Sequence, residues 1–146
     1  MRKKQTIEEA ARAAMTPQNE INCSGYVRTV ALDLGEYMPP LDANEMVKYL
    51  ASNPSWEQLG NNDQMASSLA AQGYLVIAGK AEAHDHEHVV VIIPRRAGQY
   101  ARGYWGSLKG VRYSWQAKGI DWAWTGEELH QVQFFAIRLP TLVSSQ

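Results

Sequence analysis

Apolar residues recur at helical spacing through the first half of the chain, then run together or alternate, as in strands, through the second half. Ile7, Ala10, Ala11 and Ala14 share one helix face, Thr6 followed by Glu9 makes a capping-box pattern ahead of them, and Pro17 closes the segment. This spacing predicts a helix over 7–15. Asn22 suits the cap of a second helix over 23–34, in which Cys23, Val27, Val30, Ala31 and Leu34 form a stripe and Gly35 supplies the stop. Asp42, with Glu45 three residues on, opens a third helix whose Ala43, Met46, Val47 and Leu50 line up before Asn53 and Pro54. A shorter fourth helix is expected over 62–71.

After Gly73 the period changes. Tyr74, Leu75, Val76, Ile77 and Ala78, closed by Gly79, form one apolar run, and His88, Val89, Val90, Val91, Ile92 and Ile93, closed by Pro94, form another. Both read as central strands. Aromatic residues then alternate with glycine (Tyr100, Gly103, Tyr104, Trp105, Gly106, Gly110, Tyr113, Trp115), which suits short strands and tight turns at a sheet edge. A last strand over 131–139 follows from Val132, Phe134, Ala136 and Arg138 set against Gln133, Phe135 and Ile137, with Pro140 beyond. Helices first and a mostly antiparallel sheet afterwards make α+β the expected class.

Composition narrows the function. A chain of 146 residues that is 45% hydrophobic and 20% charged, with a net charge of −1, is expected to form a single domain over 1–146. The 14 Lys and Arg balance 15 Asp and Glu without a basic block, which argues against nucleic acid as a partner. No window reaches the roughly 18 uninterrupted apolar residues of a membrane span, so membrane insertion is not expected. Met1 to Gln5 run into Thr6, Ile7, Glu8 and Glu9 without an apolar signal core, so a Sec-type export signal is not expected either. The single cysteine, Cys23, cannot form an internal disulfide.

Cys23 is the first candidate for chemistry. A lone cysteine is ordinarily a small buried hydrophobe, but this one falls in the first turn of the second helix, where backbone N–H groups and the helix dipole favour a thiolate. Its neighbours Asn22, Ser24 and Gly25 are small and polar. A cysteine nucleophile also needs a base. His84, His86 and His88 alternate through a polar stretch with Asp85 and Glu87, ahead of the most apolar strand. Three imidazoles and a carboxylate have a zinc reading, but a polar turn also holds such residues as ordinary solvated groups, and no metal is assigned. His88 differs because it leads a buried strand that would hold it rigidly, as a base requires. His130 reads as a surface residue.

A cysteine at a helix N-terminus and a histidine on a later central strand form the arrangement of papain-like thiol hydrolases. Asn22-Cys23-Ser24-Gly25-Tyr26-Val27, Leu34-Gly35, Met38-Pro39, Ala43-Asn44, Met46-Val47, the run from Gly73 to Gly79, His88 to Ile92, and Trp105-Gly106-Ser107 with Gly110 resemble, in order and spacing, the first family of type VI secretion amidase effectors. The resemblance spans about residues 20–110. It implies an NlpC/P60-type cysteine peptidase fold and cleavage of the peptidoglycan stem between D-glutamate and meso-diaminopimelate, without a cofactor. Cys23 and His88 would be the catalytic pair, and the backbone at Cys23, supported by Asn22 and Ser24, would form the oxyanion hole. It further implies a cytoplasmically made toxin, delivered by type VI secretion to the periplasm of a target bacterium, with a cognate immunity protein.

Two positions depart from the family pattern. Glu87 replaces the glycine that precedes the histidine, adding a carboxylate that would raise the imidazole pKa. Trp105 stands where a further cysteine is common. The orienting third member would then be a backbone carbonyl near Trp105 or the hydroxyl of Ser107. Two other readings remain open: a thiol amidase on another substrate, as in cell-wall recycling, or a non-catalytic binding module displaying its five tryptophans and seven tyrosines.

Overall fold

A computed structural model describes residues 6–80, 88–98, 100–107 and 114–139. Helix α1 (Ile7–Ala13) opens with the expected box: the Thr6 hydroxyl accepts the Glu9 N–H at 3.0 Å, and the Glu9 carboxylate accepts the Thr6 N–H at 2.9 Å. The same exchange between Asp42 and Glu45, at 2.7 and 3.0 Å, opens α3 (Ala43–Ser52). Between them lies α2 (Cys23–Asp33), while α4 (Asp63–Ala71) is capped by Asn62 through the Met65 N–H at 3.0 Å.

Six strands follow, interleaved with the helices: β1 (Glu57–Gly60), β2 (Leu75–Lys80), β3 (His88–Ala97), β4 (Tyr100–Trp105), β5 (Trp115–Gly119) and β6 (Gln133–Ile137). They make one sheet in the order β1-β6-β2-β3-β4-β5, and every neighbouring pair is antiparallel. The fold is α+β. The two apolar runs are central strands and the aromatic-glycine segment supplies an edge, as their composition requires.

Both sheet faces are covered, so the central strands read as continuous apolar runs instead of alternating. Leu75, Ile77, Val89, Val91, Ile93, Tyr104, Phe135 and Ile137 face α1, α2 and α3. Val76, Ala78, Val90, Ile92, Ala101, Trp105, Phe134 and Ala136 face α4 and the segment from Ile120 to Leu129, which holds a 3-10 turn (Ile120–Trp122) and the one-turn helix α5 (Gly126–Leu129). The fourth helix therefore packs on the far side of the sheet from the first three.

Three features differ from the periodicity. Strand β1 is mostly exposed and carries no apolar alternation, and pairing with β6 (Glu57 against Ala136, Gln58 against Phe135) recruits it. β3 continues past Pro94, because the register with β4 shifts between Ile93 and Arg96, where a residue lacking an N–H is tolerated. β6 is confined to Gln133–Ile137, shorter than expected.

Tyr26 fastens the helical layer. It is fully buried and its hydroxyl donates to the Ala11 carbonyl at 2.6 Å, which satisfies an acceptor in the last turn of α1. Burial, reinforced by Tyr104, raises its phenol above the ordinary value of 10.0. The folded state thus holds this proton more tightly than the unfolded chain does. The resulting stability is full below the unfolded value and is lost as pH rises above it. Tyr26→Phe is expected to cost about 1–3 kcal/mol at pH 7, since it strands the Ala11 carbonyl. In denaturant titrations the gap to the wild type should narrow above the ordinary value of 10.0, because only the wild type carries the titrating phenol. A gap that stays constant with pH would contradict this account.

Candidate active site

A 3-10 turn (Asn19–Ile21) leads into Asn22, whose extended backbone (φ −146°, ψ 93°) makes it the N-cap of α2. The Asn22 side-chain oxygen accepts the Gly25 N–H at 3.0 Å and the Ser24 hydroxyl at 3.2 Å, while its carbonyl takes the Tyr26 N–H at 2.9 Å. Position 25 needs glycine, since a Cβ there would lie 2.6 Å from the Asn22 amide nitrogen and 2.8 Å from its Cγ. The cap leaves the N–H groups of Cys23 and Ser24 directed out of the helix N-terminus, its electropositive end. Asn19 anchors the turn, donating to the Ala14 carbonyl at 2.8 Å and the Thr29 hydroxyl at 3.1 Å. Cys23 itself is 3% exposed, packed with the apolar residues of the α1–α3 side, and Ser24 is also buried.

His88 is the first residue of β3 and is fully buried. It has the strand parity of Val90 and Ile92, so it belongs to the α4 side of the sheet. Trp124 packs edge-on against its ring with centroids 5.6 Å apart at 73°, and Trp105 does so at 6.5 Å and 85°. Two indoles thereby fix the plane of the imidazole.

The two segments meet at one end of the sheet. β4 runs antiparallel to β3, so Trp105 at its end lies beside the start of β3, and Gly106 and Ser107 come next. The Ser107 N–H donates to the Glu20 carbonyl at 2.7 Å. A Cβ on Gly106 would collide with the Asn19 carbonyl oxygen and lie 3.1 Å from that of Asn22. The turn that delivers Cys23 is therefore seated on the residues that follow Trp105, and Trp105 touches His88. The turn before Asn22 meets Gly106 and Ser107 at this end, and His88 is reached from there through Trp105, while α2, with Cys23 at its start, lies against β3.

Over 128 residues, 86% of this chain and 80% of the relative, the sequence is 37% identical to the peptidoglycan amidase Tse1 of Pseudomonas aeruginosa. The chain belongs to the family of that amidase. No protein-family model matches it.

For a member of this amidase family, the other residues singled out in the sequence fall as follows. His84, Asp85, His86 and Glu87 lie outside the described residues, as do residues 108–113 of the aromatic-glycine stretch. Among the described residues no group of three or more His, Cys, Asp or Glu side chains could hold a metal ion, and no helix is long and apolar enough to cross a membrane. His130 is exposed, and Ser107 is 5% exposed. Two residues beside the site were not legible in the sequence. Trp124 reaches His88 from a segment without periodicity, and Lys80, 3% exposed, pairs directly across from His88. A lysine that continues an apolar strand run was the available signal for the second.

Gly106→Ala tests whether the sheet end seats the cysteine turn. The backbone clash is expected to cost about 1–3 kcal/mol, lowering Tm by roughly 2–12 °C. Gly126→Ala is the control, because a Cβ there meets nothing within 4 Å, and its Tm should match the wild type. Equal melting of the two variants would contradict the seating.

Proposed function

We propose that this protein is a cysteine peptidoglycan amidase of NlpC/P60, papain-like type, a single catalytic domain that cuts the stem peptide between D-glutamate and meso-diaminopimelate. What supports the reading is the 37% identity to a peptidoglycan amidase over 86% of the chain, in a fold where the turn that opens the cysteine's helix sits on the residues after Trp105, which packs on the strand-leading histidine.

His88 takes the Cys23 proton and the thiolate attacks the D-glutamyl γ-carbonyl, forming a tetrahedral oxyanion. The N–H groups of Cys23 and Ser24 receive that oxyanion, with Asn22 holding the turn that aims them. One such donor is typically worth roughly 2.7–4 kcal/mol of barrier. Collapse breaks the C–N bond, and His88 returns its proton to the leaving amine of diaminopimelate. His88 then deprotonates a water that attacks the thioester, releasing the D-glutamyl carboxylate and regenerating the thiol. Trp105 and Trp124, packed T-shaped on the ring, hold the imidazole plane. The hydroxyl of Ser107 or the carbonyl of Trp105 accepts the other ring N–H. No metal or organic cofactor enters this chemistry.

In this reading the protein is an antibacterial effector made in the cytoplasm of the attacking cell. Type VI secretion delivers it to the periplasm of a target bacterium, and a cognate immunity protein covers its groove. The burial of Cys23, at 3% exposure, favours one rival, a binding module with an inert core thiol.

Mass spectrometry of purified peptidoglycan incubated with the wild type, Cys23→Ala and His88→Ala, each checked for folding, tests the proposal. Intact stems should give way to fragments with a new D-glutamate terminus, and each variant should be slower by at least about 10⁴-fold. Folded wild type that leaves the wall unchanged from pH 5 to 8 would overturn it. Cleavage of soluble peptides in preference to intact wall would instead indicate a recycling peptidase.

A further inference from the structure

Edge strand β5 carries an irregularity in its pairing with β4. Trp115 pairs with Trp105 and Lys118 pairs with Gly103, so β5 spends three steps (115 to 118) where β4 spends two (105 to 103). The extra residue makes a β-bulge, a device that re-aims side chains and is common beside active sites. Within it Ala117 takes φ 56°, a left-handed conformation that glycine would adopt without strain. Arg102 holds this strained residue in place, donating from Nε at 3.1 Å and from Nη2 at 2.6 Å to the Ala117 carbonyl. The next residue is Lys118, whose ammonium lies 5.5 Å from the centroid of the Trp122 ring.

Trp122 is 60% exposed, in a protein whose other described tryptophan side chains, Trp56, Trp105 and Trp124, are buried. It ends the 3-10 turn (Ile120–Trp122) that runs through Ala123 into Trp124, the residue packed on His88. Two chain steps span at most about 7.6 Å, so the backbone of Trp122 lies within that distance of the residue packed on His88. An ammonium held over an indole is fixed in position and presents several N–H donors suited to a carboxylate. The chain's net charge of −1 gives an acidic substrate no general attraction, so recognition of such a substrate needs a local cation.

We infer that Lys118 and Trp122 form a substrate subsite for a carboxylate-bearing residue of the wall peptide. The ammonium pairs with the carboxylate and the indole covers the residue's apolar stem. The Arg102-clamped bulge at Ala117 sets the distance between them. The inference rests on the amidase reading above and names the part of the substrate that this surface takes.

The test uses full-length protein with Cys23→Ala, which binds without turnover, and a soluble peptidoglycan stem peptide with its carboxylates either free or amidated. Adding Lys118→Gln should weaken binding of the free-carboxylate peptide by about tenfold and change binding of the amidated peptide by less than twofold, with Lys118→Arg retaining most of the affinity. Trp122→Ala should weaken both. In protein that keeps Cys23, Lys118→Gln should raise KM by a similar factor with kcat within about twofold. Equal binding by the parent, Lys118→Gln and Trp122→Ala, or no binding of either peptide, overturns the subsite. Lys118-dependent binding without cleavage by the wild type supports the subsite and overturns the amidase reading. Cleavage whose KM ignores Lys118 does the reverse.

Discussion

The backbone of Gly106 lies so close to the carbonyls of Asn19 and Asn22 that no side chain fits between them. That contact, with the Ser107 N–H on the Glu20 carbonyl, sets the turn before α2 on the end of the sheet. The cap of α2 and the lead residue of β3 depend on it for their relation to each other. Asn22 directs the helix terminus from one side of the contact, and Trp105, one residue before Gly106, touches His88 from the other.

Around this junction the fold supplies rigidity. A sheet buried on both faces lets neither β3 nor β4 slide, because a one-residue slip would exchange the two cores. His88 leads a central strand that is buried through Ile93, and two indoles from different segments pack T-shaped on its ring. Tyr26 and Tyr104 tie the helical layer down from behind, one to the Ala11 carbonyl and the other to the Glu8 carboxylate at 3.0 Å. Burial raises the Tyr104 phenol, and its hydrogen bond to Glu8 adds to this. At the sheet edge the opposite strategy appears, with a strained Ala117 clamped by Arg102 next to half-buried Lys118, whose ammonium lies over the exposed Trp122 ring.

Much of the scaffold was legible because local chemistry and tertiary structure agree. The Thr6–Glu9 and Asp42–Glu45 boxes open helices where expected, Asn22 caps α2, and the apolar runs at 74–79 and 88–94 supply the central strands β2 and β3. What escaped has no local signature. Glu57 and Gln58 form a strand only because β6 offers them partners, and α5 is a single turn, too short to show a period. At the site, the sequence marked Cys23 as a helix-terminal residue and His88 as a strand leader. The link between their two segments was hidden in Gly106, which looks like any turn glycine until the Asn19 carbonyl is beside it. Trp124 and Lys80 were invisible for the same reason, since their nearness to His88 comes from topology.

The central claim is that this junction makes Cys23 a nucleophile served by His88. The most direct measurement is the rate of Cys23 alkylation by iodoacetamide from pH 5 to 9, in the wild type and in folded His88→Ala. The account expects ready alkylation of the wild type at pH 6 and at least a tenfold loss there in the variant, whose reactivity should rise only toward the ordinary thiol value of about 8.5. Identical profiles in the two proteins, or a folded wild type that resists alkylation throughout, would contradict it.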